Sequence, residues 1–211
     1  MESYLTMRAG CEAQGEFVDR KSRFIAQLVH VEDEEAAAAH IEAVRARHFD
    51  ARHNVPAWIL RDGRERASDD GEPQRTSGMP TLEVLRGAGL RDVCCVTTRY
   101  FGGTLLGPGG LVRAYTAAAH SAIERAVEQG MVVEMTAVVP VEVRVGYALL
   151  EQVRHLAERA GGKVRDCAYT DEVALSIVFR AGDEEAFIAA ATELIAGKPR
   201  LERGAERFAE F

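Results

Sequence analysis

One stretch, residues 93–128, constrains this chain more than any other. Val93 to Thr98 is a short, β-branched apolar run of the kind that forms a strand buried on both faces. Five glycines, Gly102, Gly103, Gly107, Gly109 and Gly110, then fall within nine residues, with Pro108 among them. From Gly110 the apolar period becomes helical, and Leu111, Tyr115, Ala118, Ala119, Ala122, Ile123 and Ala126 share one face. A buried strand therefore feeds a glycine loop, which feeds a helix N-terminus. Free N–H groups in a first helical turn, with the partial positive charge there, can hold an anion. Arg99 at the strand end and Arg113 in the first turn would add guanidinium donors. The glycine spacing matches neither a P-loop nor G-x-G-x-x-G. The stretch thus reads as a tight packed connection, an anion or RNA-backbone site, or a catalytic loop.

Composition narrows the classes. At 211 residues and 47 % hydrophobic content, the chain has room for one large or two small globular domains with real cores. No apolar run reaches the length of a membrane span, and the N-terminus lacks the pattern of a signal peptide. Cys11, Cys94, Cys95 and Cys167 show no C-x-x-C spacing, which implies reduced thiols in a cytoplasmic protein and no zinc site. The net charge of −7 is spread evenly, with 16 basic against 19 acidic residues up to Gly130 and 10 against 14 beyond it. Coating nucleic acid by bulk charge is thereby disfavoured, and a local basic groove stays open.

The flanking segments supply further candidates. Gly15–Asp19 and Arg23–Val31 read as strands joined across Arg20-Lys21-Ser22, with Lys21 and Arg23 as a phosphate-facing pair or simply a solvated turn. Asp33 is placed to cap a helix running to His48. Val55–Leu60 reads as a strand, with Pro56 putting it at an edge or making its start irregular. His53 and Asn54 precede it; a histidine there can be a general base or metal ligand, or merely structural. Asp69, Asp70 and Glu72 put three carboxylates in one rigid turn, which can either bind Mg²⁺ or order the loop through bonds to its own backbone. Thr81 is a candidate cap for a helix from Leu82 to Ala88. After Gly130 the order is strand, helix, hairpin, helix, with Asp183 as the cap of the second helix, and a last strand over Arg200–Phe211. That is the split β-α-β-β-α-β motif of ferredoxin-like folds.

Three phrases carry a resemblance: Asp69-Asp70-Gly71-Glu72-Pro73, T-R-Y-F-G-G from Thr98, and G-x-G-G-L-V-R-A-Y from Gly107. With K-S-R-F-I-A from Lys21, His53-Asn54 and Tyr169-Thr170-Asp171, they make the chain resemble the bacterial YigZ-like members of the IMPACT family over essentially its whole length. The resemblance implies an α+β fold in two domains. Residues 1–132 would form a two-layer α/β domain like domain 2 of ribosomal protein S-five, and residues 133–211 a ferredoxin-like domain like the last domain of elongation factor G. Both relatives touch RNA or the ribosome, so the implied role is regulation of translation, with RNA, the ribosome or a translation-related protein as partner. Two departures stand out: Arg75 and Ser77 occupy positions where the family usually has glycine and alanine, and Val55 follows His-Asn where cysteine is common.

Two functions compete on these residues. As a binding module, the protein would contact phosphates through Lys21, Arg23, Arg99 and Arg113 and stack bases on Tyr100 and Phe101. As a hydrolase or other enzyme on a phosphorylated or nucleotide substrate, it would use His53 as base, Asp69, Asp70 and Glu72 as metal ligands and the glycine loop as cradle. The first is the favoured expectation, with no cofactor.

Overall fold

A computed structural model describes residues 3–195 and 200–211. The chain divides into two units, Tyr4–Val133 and Glu134–Phe211.

The first unit contains β1 (Tyr4–Met7), β2 (Glu12–Asp19), β3 (Ser22–His30), α1 (Glu34–Arg47), β4 (His53–Ile59), β5 (Glu65–Ala67), α2 (Gly78–Gly87), β6 (Val93–Tyr100) and α3 (Gly107–Glu128). Strands β2-β3-β6-β4-β5 form an antiparallel sheet in that order. The β-branched run lies at its centre as β6, buried from Val93 through Arg99. Its side chains alternate as a pleat requires: Val93 and Cys95 enter the core under α2 and α3, and Cys94 and Val96 the core under α1. Helices α2 and α3 supply the expected second layer, and α1 adds a third on the opposite face. That covering explains why β6 carries no polar alternation.

Local chemistry sets most boundaries. The Asp33 carboxylate accepts the Ala36 N–H at 2.7 Å and starts α1 as expected. Thr81 does not cap α2: the helix begins three residues earlier, at Gly78, and the Thr81 hydroxyl donates back to the Ser77 carbonyl. The cap comes from Asp69, whose carboxylate accepts the Ser77 and Gly78 amides. Pro56 sits inside β4 without loss, because its carbonyl accepts the Ser68 N–H and its nitrogen points the same way, off the β6 ladder. Along α3 the alanine stripe lies so close to β2 that a Cβ on Gly15 would stand 2.1 Å from the Ala122 nitrogen.

The second unit comprises most of β7 (Val132–Val145), a short 3-10 turn (Tyr147–Leu149), α4 (Leu150–Arg159), β8 (Lys163–Tyr169), β9 (Val173–Arg180), α5 (Glu184–Leu194), β10 (Arg200–Arg203) and β11 (Arg207–Glu210). Strand β9 lies between β7 and β8, while β10 and β11 pair with the other edge of β7. This is the anticipated ferredoxin-like order, with Val139, Val141, Val143, Leu175, Ile177, Phe179 and Phe187 in the core. The final strand departs from expectation by splitting in two. Pro140, in the middle of β7, has no N–H to offer that edge; its carbonyl takes the Gly204 N–H at 2.8 Å and the ladder resumes one residue out of step. Asp183 stands at the N-cap of α5 but makes no side-chain cap bond; the Glu184 carboxylate accepts the Gly182 N–H instead.

Candidate functional site

The end of the sheet where β4 begins and β6 finishes opens into a cleft of about 470 Å³. Register puts His53 opposite Arg99 and Asn54 opposite Thr98. Asp50, Ala51, Arg52, His53, Arg99, Tyr100, Phe101 and Leu105 line the cleft. The volume falls in the roughly 300–1,000 Å³ range of small-ligand sites.

The acidic turn stands behind this cleft and organises it. Its backbone is tightly wound, with Asp70 at φ 45° and Gly71 at φ 84°. The Asp70 side chain accepts the Asn54 N–H at 2.7 Å and the Arg45 guanidinium at 3.0 Å. The Asp70 carbonyl meets His53 Nδ1 at 2.8 Å. A carbonyl can only accept, so Nδ1 carries the proton and Nε2 of the neutral ring keeps a lone pair. Glu72 is buried and receives Arg99 Nη1 at 2.7 and 2.9 Å and the Tyr115 hydroxyl at 2.8 Å. Burial, reinforced by the Glu72 charge, drives the Tyr115 phenol far above its ordinary pKa. The Asn54 side chain is used as well, accepting the Thr98 hydroxyl at 2.7 Å.

Asp69 faces a third direction. Burial works to raise its carboxyl, but the N–H groups of Arg75, Gly78 and Ser77 and the Ser77 hydroxyl outweigh this and hold it below the usual carboxylate range. The three carboxylates therefore do not converge, and among the described residues no group of three His, Cys, Asp or Glu is placed to hold a metal ion. The turn is ordered by bonds to its own carboxylates, Asp69 to the Arg75, Ser77 and Gly78 amides and Asp70 to the Asn54 amide. Arg75 adopts φ 61°, the left-handed region that favours glycine, at the position where the family usually has glycine. A group whose folded pKa is depressed stabilises above its unfolded pKa, about 3.9 for aspartate, and loses that contribution as pH falls through the folded value. Asp69→Asn should therefore flatten the loss of stability below about pH 5, measured as urea midpoints across an acid series.

The guanidinium of Arg99 lies over two rings, 5.5 Å from the centroid of Phe24 and 5.7 Å from that of Phe101. Arg99 is only 7 % exposed and its charge is met by Glu72, so it is not the free phosphate ligand that the sequence suggested. Arg113 donates to Asp19 at 2.9 Å and Arg23 is bidentate to Glu16. These two pairs are exposed, and each holds its partner weakly, by roughly 0.2–1 kcal/mol. Lys21 stands exposed in the β2–β3 turn with φ 65°. Tyr100 is also tied: its hydroxyl donates to Asp50 at 3.0 Å and lies 2.9 Å from His48 Nδ1. Sequence inspection missed Asp50, Thr98 and Tyr115; the signal for Tyr115 was a hydroxyl on the buried face of α3, which has to find a partner.

The glycine loop rests on the β2–β3 turn. A Cβ on Gly102 would stand 2.1 Å from the Lys21 carbonyl carbon, so only glycine allows this approach. The Ser22 hydroxyl accepts the Gly102 N–H, and Arg20 donates to the Leu105 carbonyl. Gly103, Gly107 and Gly109 are exposed and border open space, and Gly110 is half-buried against Leu106. The first turn of α3 is thus exposed from Gly107 to Gly109, with Pro108 offering no N–H and without Arg99 or Arg113 as free flanking cations.

Fold and cleft define a two-unit α+β protein with a preformed surface site and no membrane-crossing helix among the described residues. The chain belongs to the IMPACT family. Residues 20–123 match the Impact N-terminal domain, and residues 143–198 match a domain of unknown function, DUF1949. It is 33 % identical to the IMPACT family member YvyE of Bacillus subtilis (strain 168), covering 97 % of this chain and 92 % of that one. It is 35 % identical to the IMPACT family member YigZ of Escherichia coli (strain K12), covering 95 % and 98 %. A solved structure described as a crystal structure of an hypothetical protein aligns with a TM-score of 0.61 at 33 % identity, covering 95 % of this chain and 97 % of that chain.

Proposed function

We propose that this protein is a cytoplasmic binding protein that regulates translation by docking on RNA of the translation apparatus through the cleft and glycine loop of its first unit. Family membership supports a regulatory or binding role at the level of the family. One observation carries the finer reading: the exposed ring of Phe101 and the exposed cation Arg52 line one cleft, beside Asp50, and the exposed Lys21 stands in the turn against which the neighbouring Gly102 packs. Apolar ring and cationic rim together suit a nucleotide chain, whose bases stack and whose phosphates seek N–H donors.

The pairing of Arg99, Arg113 and Arg23 lowers the expected charge of the contact. With about two phosphates neutralised, log K should fall with log salt at a slope near −1.4, or roughly sevenfold between 50 and 200 mM. Fluorescence anisotropy with a labelled single-stranded RNA measures this, and Lys21→Ala with Arg52→Ala should halve the slope or more. An affinity indifferent to salt and to both substitutions would sink the reading. The alternative, a hydrolase of phosphorylated or nucleotide substrates, draws on the free Nε2 of His53, but the carboxylates it needs for a metal are already bonded elsewhere. Release of phosphate from nucleotides incubated with the protein would favour it.

A further inference from the structure

We infer that the cleft takes a single unpaired nucleobase, laid on the bare side of Phe101 with its polar edge turned to His53 Nε2. The inference rests on the RNA reading and narrows it from a surface to one base. Phe101 is 55 % exposed, yet it is not a loose side chain, because the Arg99 guanidinium lies over its ring. Arg99 is in turn over Phe24, which meets Tyr115 edge to face at 5.1 Å, and both Arg99 and Tyr115 are fastened to Glu72. The series Phe24, Arg99, Phe101 is therefore a stack built from the core outwards, with its last ring wet. A planar ligand completes it without first having to order the platform.

His53 supplies the edge contact. Its Nδ1–H is committed to the Asp70 carbonyl, so the ring presents an acceptor to the same cleft that Phe101 lines. Every nucleobase carries an N–H or amino donor on its pairing edge, and that donor is free only when the base is unpaired. Tyr100, the other ring at the cleft, is held by Asp50 and adjoins His48, so the platform is Phe101 alone.

The test compares one short single-stranded RNA, the same strand with its bases replaced by abasic residues, and its duplex, each against the intact protein by anisotropy. Phe101→Ala should weaken the intact strand about tenfold or more, Phe101→Tyr should leave it near wild type, and His53→Ala should weaken it about threefold or more. The abasic strand and the duplex should bind the wild type about as weakly as Phe101→Ala binds the intact strand, and neither should respond to Phe101→Ala. Unchanged melting of Phe101→Ala verifies that the fold is intact. If the RNA binds with the expected salt slope but Phe101→Ala costs nothing, or costs the abasic strand as much as the intact one, the base pocket is refuted and the RNA reading survives. If no RNA binds at low salt, both fall.

Discussion

Glu72→Ala should lower the melting temperature of the first unit by roughly 10 °C or more. The substitution leaves the Arg99 guanidinium buried without a counter-charge and the Tyr115 hydroxyl without an acceptor. Removing one partner of a buried ion pair typically costs about 3–5 kcal/mol, and a unit of this size shifts by a few degrees per kcal/mol. Pairing the change with Arg99→Met, which takes the stranded charge away, should recover most of the loss, because an apolar replacement of a buried pair is close to neutral. Glu72→Gln should fall between, keeping an acceptor and losing the charge. Calorimetry of the four proteins decides it. A Glu72→Ala protein that melts within about 2 °C of wild type would mean that the pair contributes nothing.

Gly15→Ala should be strongly destabilising. The added Cβ would meet backbone of α3 at Ala122 N, Ser121 C and Ala122 Cα, at 2.1, 2.5 and 2.7 Å. No rotamer change relieves a collision with backbone, so α3 has to lift from β2 along a contact that buries Ala118, Ala119 and Ala122. Overpacking of this kind costs about 1–3 kcal/mol, occasionally more, read as a drop in the urea midpoint. Gly109→Ala is the matched control: nothing lies within 4 Å of its Cβ and its φ is not in the left-handed region. At that site alanine should be neutral or stabilising by up to about 1 kcal/mol, through the unfolded chain. Equal losses at both positions would contradict the packing described for α3.

What the sequence disclosed and what it withheld divide along a physical line. The strand at 93–98, the alanine face of α3, the Asp33 cap and the split ferredoxin-like order all depend on periodicity or on neighbours within a few residues. Such signals are local. The partners of the acidic turn are not: Glu72 finds Arg99 and Tyr115, Asp70 finds Asn54 and Arg45, and each pairing is fixed by sheet register and helix placement. Arg99 illustrates the consequence. A strand-end arginine beside glycines suggests an anion ligand, and only the fold shows a carboxylate from another segment already seated on it. Pro56 was misjudged for a related reason. Whether Pro56 or Pro140 harms a ladder depends on which neighbour its nitrogen faces, and residue type alone does not tell that. Arg75 is the reverse case, a departure from the family pattern noticed in the letters and explained by its positive φ.

The seat of the Glu72 carboxylate also bears on how the chain matures on the ribosome. Its two donors are synthesised later, Arg99 near the end of the central strand and Tyr115 just over two turns into the long helix that follows. Until both have left the exit tunnel, that acid remains hydrated and the acidic turn is held only through Asp69 and Asp70. Nascent fragments stopping before Tyr115 should therefore be readily cleaved by protease, and resistance should arrive in one step once the helix is complete.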